Sequence, residues 1–368
     1  MKRILIIFLF LFSNVWAAKT VIPTLKPVYK TKAPIGEKVG GVGGDVEGGV
    51  SSSPLDIPFT PKYTFKGVSR NIIPIGTKVY IQKNQNWKYS ACSALRFHKY
   101  WIVTAAHCLD DVANTDQWVT ASIKEHEKGL YEVIVSKTSE GSLPNAKIFF
   151  IKQGYTEQDF LSSHVDDIAL IRLDKSDVNL DIVEKNLQQA IQEGMGSMNL
   201  IIQQHLRNVQ LAKKLRRAFL EQPLDKYRFY ITDSTKSFVN RTASVFRFPG
   251  NEKQERFSPE KNQFKFLGQR EGDNNHPTSP YMLFWQSDAP SLSGSPIIIN
   301  GLSVSNASGP FGEGERVSPM YTERFHSFLK KSMGAEYTSG LCIRSESGGS
   351  ASQTKAQQKT KDSSLSKK

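Results

Sequence analysis

One histidine stands where an apolar run ends. Trp101-Ile102-Val103 passes through Thr104-Ala105-Ala106 to His107 and Cys108, so an imidazole sits just beyond what reads as a buried strand. A sheet edge holds a base still, and such a base works only when a carboxylate orients its ring and a hydroxyl or thiol lies beyond it. Two downstream segments offer those groups. Asp167 opens Asp167-Ile168-Ala169-Leu170-Ile171-Arg172-Leu173, an acid at the mouth of a second buried strand. Ser293 lies in Asp288-Ala289-Pro290-Ser291-Leu292-Ser293-Gly294-Ser295-Pro296, a tight turn that runs into Ile297-Ile298-Ile299. A serine, a histidine and an aspartate of this kind suit acyl transfer. The imidazole takes the hydroxyl proton as the oxygen attacks, and the acid holds the tautomer and stabilises the imidazolium.

Each of the three has a neighbour that competes for its place. Asp166 is one residue from Asp167 and on an extended strand faces the other way, toward solvent or a cap. Ser291 and Ser295 flank Ser293, but only Ser293 is followed by glycine.

Thr104-Ala105-Ala106-His107-Cys108, then Asp167-Ile168-Ala169-Leu170, then Ser293-Gly294-Ser295-Pro296, in that order, resembles the chymotrypsin-like (trypsin-fold) serine proteases. The last motif looks most like their bacterial glutamyl-endopeptidase-type branch. The resemblance spans roughly residues 70 to 335. It implies His107, Asp167 and Ser293 as a triad, an oxyanion hole from the backbone N–H groups of Ser291 and Ser293, and a disulfide between Cys92 and Cys108. No metal or organic cofactor is called for. The family usually has glycine two residues before the nucleophile, where this chain has Ser291, which raises an alternative: a catalytically impaired protease-fold binding protein. Leu292 stands where the digestive enzymes carry the aspartate that pairs with a new amino terminus, so that zymogen switch is not expected. Asp288 is a candidate for the floor of a specificity pocket selecting basic side chains.

The elements that would position these groups are mostly strands. Between 70 and 174, short runs such as Lys78 to Gln82, Trp118 to Ala121, Tyr131 to Val135 and Ile148 to Ile151 alternate with turn residues, the pattern of an antiparallel barrel. A second set follows over 226–335: Tyr227 to Thr232, Ala243 to Phe248, Phe264 to Leu267, Tyr281 to Trp285, Pro296 to Ile299 and Leu302 to Ser305. The expected class is therefore all-β. The resemblance implies two six-stranded antiparallel barrels with the site between them, and a helix from Met320 to Ser332 closing the fold. Residues 175–225 depart from the family, since apolar residues recur there every three or four positions, broken by Gly194 and Gly196. That spacing predicts two inserted helices. The second carries Arg207, Lys213, Lys214, Arg216 and Arg217 over 200–220, a face open to a partner or an anionic surface, or simply a solvated face of a packed helix.

The ends of the chain are of another kind. Residues 1–17 begin Met1-Lys2-Arg3, pass through an apolar run too short to span a bilayer, and end at Val15-Trp16-Ala17, the form of a cleavable export signal. Residues 18–69, rich in Gly, Pro, Lys and Ser, read as a propeptide or flexible linker with Arg70 as a conceivable processing site, and 336–368 as a disordered basic tail. A secreted or periplasmic protein follows. Its three cysteines leave Cys342 over once Cys92 and Cys108 pair. The net charge of +13 invites a nucleic-acid reading, but much of it lies in the tails and one helix, and no recognition motif accompanies it. The expected partners are protein or peptide substrates, with no specific nucleic acid and no membrane span.

Overall fold

Apolar residues at every second position, broken by turn residues, make strands here, and the first seven long ones close on themselves. The computed structural model describes residues 64–65, 68–81, 86–127, 129–138, 143–162, 164–194, 199–224, 228–233, 238, 241–248, 260–268, 282–286, 292–310, 315–338 and 342–345. All of them belong to one unit, Leu55–Thr138 with Leu143–Lys368. The expected export signal at 1–17, most of residues 18–69, Asp288, Ser291 and the chain beyond 345 lie outside the described residues.

In chain order the first half contains β1 (Thr64–Phe65), β2 (Val68–Ser69), β3 (Ile72–Ile81), β4 (Asn86–His98), β5 (Trp101–Thr104), β6 (Gln117–Glu127), β7 (Leu130–Lys137) and β8 (Ala146–Phe150). A short helix α1 (Glu157–Ser162) and β9 (Ala169–Leu173) follow, then helices α2 (Val178–Gln192) and α3 (Asn199–Glu221). The second half contains β10 (Arg228–Ile231), β11 (Thr242–Arg247), β12 (Glu260–Gly268), β13 (Met282–Gln286), β14 (Pro296–Ile299), β15 (Leu302–Asn306) and β16 (Glu315–Pro319). Helix α4 (Glu323–Met333) and β17 (Cys342–Ser345) end it.

The barrel order is β3-β4-β5-β9-β8-β6-β7, closed where β3 meets β7 in parallel. It has seven strands, one more than expected. The extra strand is β4, in which Trp87, Tyr89, Leu95 and Phe97 alternate with polar or small residues. That period of two was present in the sequence, but diluted by Ser90, Cys92 and Ser93. The second set of strands forms an eight-stranded sheet, β16-β13-β12-β11-β14-β15-β10-β17, so the expected second six-stranded barrel is replaced by this arrangement. Its end strand β16 comes alongside the continuation of β15, with Ser308 N donating to Val317 O at 3.2 Å and Val317 N to Gly309 O at 3.0 Å. β17 adds in parallel to β10, Cys342 opposite Arg228. The chain is thus still in a sheet at residues 342–345, within what reads by composition as tail.

Three apolar clusters hold this together. Ile75, Ile102, Val133, Ile148 and Ile171 fill the barrel. Leu95, Phe97, Trp101, Phe229 and Phe325 join barrel, second sheet and α4. Tyr230, Val245, Trp285, Ile297 and Val304 form the core of the second sheet. Fully burying one such side chain contributes about 1.5–3 kcal/mol.

The two inserted helices are present where the spacing places them. Phe219 at the end of α3 is fully buried in the barrel core, with Leu215 and Leu220 beside it. Arg96 from β4 donates to Phe219 O at 2.5 Å and Leu220 O at 3.2 Å, and its guanidinium lies 4.1 Å from the Phe219 ring centroid. A cation thus satisfies the carbonyls a helix leaves open at its C-terminus. Two of the five basic residues of α3 are engaged within the fold: Lys213 pairs with Asp181 and Glu184 of α2, and buried Arg216 pairs with Asp177. Arg207, Lys214 and Arg217 are exposed. No helix among the described residues is long and apolar enough to cross a membrane.

Candidate active site

Strand register brings His107 and Asp167 together. In the β5–β9 pair, Val103 faces Leu170 and Thr104 faces Ala169. His107 lies three residues past the end of one strand and Asp167 two before the start of the other, so both emerge at the same barrel rim. Ala106–Cys108 form one 3-10 turn there, which lifts His107 off the strand direction. Asp167 Oδ1 accepts the His107 main-chain N–H at 2.8 Å, and Oδ2 lies 2.7 Å from His107 Nδ1. Asp166 points elsewhere and pairs with Arg324.

The carboxylate of Asp167 is fully buried and carries a third donor, the hydroxyl of Ser308. Its main-chain carbonyl accepts from Asn306 Nδ2 at 3.2 Å. Burial by itself would push its pKa up, but the His107 charge and these hydrogen bonds outweigh that and hold it below the ordinary carboxylate value. His107 shows the mirror case. Burial lowers its pKa, and the Asp167 charge and hydrogen bond more than reverse the effect, leaving it raised. An anionic acid beside an imidazole that readily accepts a proton is the pairing general-base chemistry needs.

Ser293 reaches the same rim from the second sheet. It precedes β14 by three residues, and Ser308 follows β15 by two, in a hairpin where Pro296 faces Asn306. Across to the barrel, Ser93 N donates to Ser293 O at 2.8 Å, and Thr104 Oγ1 donates to the Ser93 carbonyl at 2.9 Å. Gly294 has φ +74°, and a Cβ there would stand 2.1 Å from Ser93 O and 2.2 Å from Thr104 Oγ1. Only glycine allows the turn to approach this closely. Ser293 is partly exposed, whereas Ser295 is fully buried, which separates the two serines. The Ser293 hydroxyl donates to Ser308 O at 3.5 Å and makes no hydrogen bond to His107. Gly294 N–H is engaged by Ala307 O and Ser295 N–H by Leu292 O. Among the described residues Ser293 N–H makes no such backbone bond.

Cys92 and Cys108 form a disulfide with Cα atoms 6.2 Å apart. Cys108 Sγ lies 3.8 Å from His107 Nε2, so the bridge flanks the ring on the side away from Asp167. Cys92, His107 and Cys108 are the one His/Cys/Asp/Glu group close enough to suggest a metal among the described residues, but both sulfurs are tied in the bridge and offer no thiolate.

Several residues at the site carry no sequence motif. Ser308 caps the aspartate, and His164 Nδ1 lies 3.0 Å from Ser308 Oγ. Phe160 of α1 packs on both imidazoles, with ring centroids 4.4 Å from His107 and 4.7 Å from His164. The buried Tyr155 phenol is pushed up by burial and then by the Asp167 charge, so it stays protonated. Asn306, part of an Asn-X-Ser sequence, is buried against Asp167 and is not presented as a glycosylation site.

Residues 66–201 match the family model described as Trypsin, a stretch that contains His107 and Asp167 and ends before Ser293. No curated protein matches this chain. Solved structures similar to it include a thermostable serine protease, AL20, from an extremophilic microorganism, with 12% identity over 72% of this chain and 98% of that one, TM-score 0.36. The scabies mite inactivated protease paralogue S-I1 shares 12% identity over 71% of this chain and 92% of its own, TM-score 0.38. Human heparin binding protein shares 12% over 72% and 92%, TM-score 0.39.

Proposed function

We propose that this chain is an exported serine endopeptidase that hydrolyses peptide bonds through an acyl-enzyme. The observation that carries the reading is the double grip of buried Asp167 on His107, through main chain and ring, at the rim to which Ser93 also fastens Ser293. In this reaction His107 Nε2 accepts the Ser293 proton as the oxygen attacks the scissile carbonyl. The tetrahedral oxyanion is stabilised by the N–H groups of Ser293 and Ser291. The imidazolium then protonates the leaving amine, and water repeats the sequence to release the acid. The Ser293-Gly294-Ser295-Pro296 turn favours a place in the glutamyl-endopeptidase-type branch. Residues 1–17 act as the export signal and 18–69 as a segment removed or displaced in maturation, giving a secreted or periplasmic enzyme whose substrates are proteins or peptides. Asp288 is the group proposed for the specificity pocket, and the exposed Arg207, Lys214 and Arg217 for contact with an anionic surface.

A second reading, a protease-fold binding protein without turnover, draws on one observation: the Ser293 hydroxyl is bonded to Ser308 O rather than to His107. Attack requires it to leave that carbonyl. A fluorophosphonate probe should label the processed chain and not its Ser293→Ala variant. Labelling that persists in the variant removes Ser293 as nucleophile, and a wild-type chain that neither labels nor cuts a protein substrate favours the binding reading.

A further inference from the structure

We propose that His164 is a positioning residue of this active site, setting the direction of the hydrogen bonds that hold Asp167. The inference deepens the proteolytic reading and rests on it.

Three groups form a chain behind the triad. Ser308 Oγ bonds Asp167 Oδ2, and His164 Nδ1 lies 3.0 Å from the same Ser308 oxygen. An ionised carboxylate has no proton to give, so Ser308 must be the donor to Asp167. The hydroxyl has only one proton, so toward His164 the serine oxygen can only accept, and His164 Nδ1 must carry the hydrogen. The result is a one-way series from His164 through Ser308 to Asp167, which on its other side holds His107. Without the His164 donor, the Ser308 oxygen loses the bond that fixes its orientation, and one of the three donors that keep Asp167 anionic and still is no longer held in place.

The backbone around His164 is arranged for this contact. His164 has φ +53°, in the left-handed region, and its N–H closes the end of α1 on Asp159 O at 3.4 Å. Glycine or asparagine is the usual occupant of such a helix end, because other side chains are strained there. A buried histidine in that position is explained by what its ring does. Asp167 N–H in turn donates to His164 O at 3.1 Å, so one short turn carries both residues. Next to Ser308, Gly309 lets the ring approach: a Cβ there would lie 2.7 Å from His164 Cε1 and 2.6 Å from Phe160 Cζ. Phe160 then sits against both imidazoles, so a shift of either ring is passed to the other through a packed aromatic contact.

The test separates the ring from the backbone. His164→Gly keeps the left-handed turn and removes the donor. His164→Asn keeps the turn and returns an N–H close to where Nδ1 stood. The Gly variant should lose between about ten- and a hundredfold in kcat with KM within about twofold, and Asn should recover most of that loss. In parallel, the downfield proton resonance of the His107–Asp167 hydrogen bond should move in the Gly variant and return in the Asn variant. A Gly variant with wild-type kcat and an unmoved resonance overturns the proposal, and so does an Asn variant as impaired as Gly. The resonance needs no substrate. If the wild-type chain proves to have no peptidase activity, the proteolytic reading fails while the resonance still decides whether His164 orders Asp167.

Discussion

Asp167 holds His107 at two points, Oδ1 on the main-chain N–H at 2.8 Å and Oδ2 against ring Nδ1 at 2.7 Å. One carboxylate thereby fixes both the position of the residue and the tautomer of its ring. Asp167→Asn keeps the size of the side chain but presents an amide to a ring that needs an acceptor. Turnover should fall about 10⁴-fold, the loss typical of a wrong tautomer in such a triad, and Tm should fall as well, because the stability that ionised Asp167 contributes is lost with its charge. Activity of the variant within tenfold of wild type would show that the pair does not serve catalysis.

The same pair sets a pH dependence. His107 must be neutral to accept a proton, and its pKa is raised in the fold, so kcat/KM should climb with pH along a limb displaced to the alkaline side of the ordinary histidine value of 6.5. For stability the signs are opposite for the two groups. The contribution of protonated His107 is fully present below its unfolded pKa and is lost as pH rises through the higher folded one. That of ionised Asp167, whose folded pKa is depressed, is present above its unfolded pKa and is lost as pH falls through the folded value. A pH series of activity and Tm on wild type and Asp167→Asn measures both.

Gly294 is constrained by contact as well as by φ. Alanine there places a Cβ against the Ser93 carbonyl, which is held by Thr104 Oγ1 in a residue whose N–H is itself fixed on Ser293 O. Gly294→Ala should cost more than about 4 kcal/mol, or displace the Ser293 turn and abolish probe labelling. A variant that labels at the wild-type rate with an unchanged Tm would contradict the close approach of turn and barrel.

Arg96 is buried where α3 ends, and burial pushes its guanidinium down to about 9, still charged at neutral pH. Arg96→Leu leaves the Phe219 and Leu220 carbonyls without their donor. The expected cost is about 2–4 kcal/mol, read as a Tm drop on the order of 5–10 °C. Because the Arg96 side chain bonds Lys99 and the end of the inserted α3 and touches none of His107, Asp167 and Ser293, probe labelling below the new Tm should persist. Loss of labelling in a folded variant would tie the insertion to the site.

Much of the site was legible because local signals mark it. An apolar strand ending at His107, an acid opening another and a Ser-Gly turn before a third are patterns of a few residues each, and the 3.6-residue period named both inserted helices. The mixed composition of β4, of β16 and of the late strand β17 weakened their signals, so the barrel has one strand and the second sheet two strands more than composition suggested. Ser308 and His164 had no signal, since a serine or histidine outside a motif reads the same on a surface as in a site.

The linear order of residues by itself marked His107, Asp167 and Ser293 as candidates for acyl transfer and the strands they flank, because strand formation and residue chemistry are local properties. Which groups meet was decided only by register and by contact between sheets. The β5–β9 pairing sets His107 against Asp167 rather than Asp166, the Ser93–Ser293 bond joins the second sheet to that rim, and the β14–β15 hairpin delivers Ser308 to the acid from 141 positions away along the chain. Hydrogen bonds span only a few ångströms, so an arrangement of four groups from three parts of the chain exists only once the folded backbone has brought them within that range.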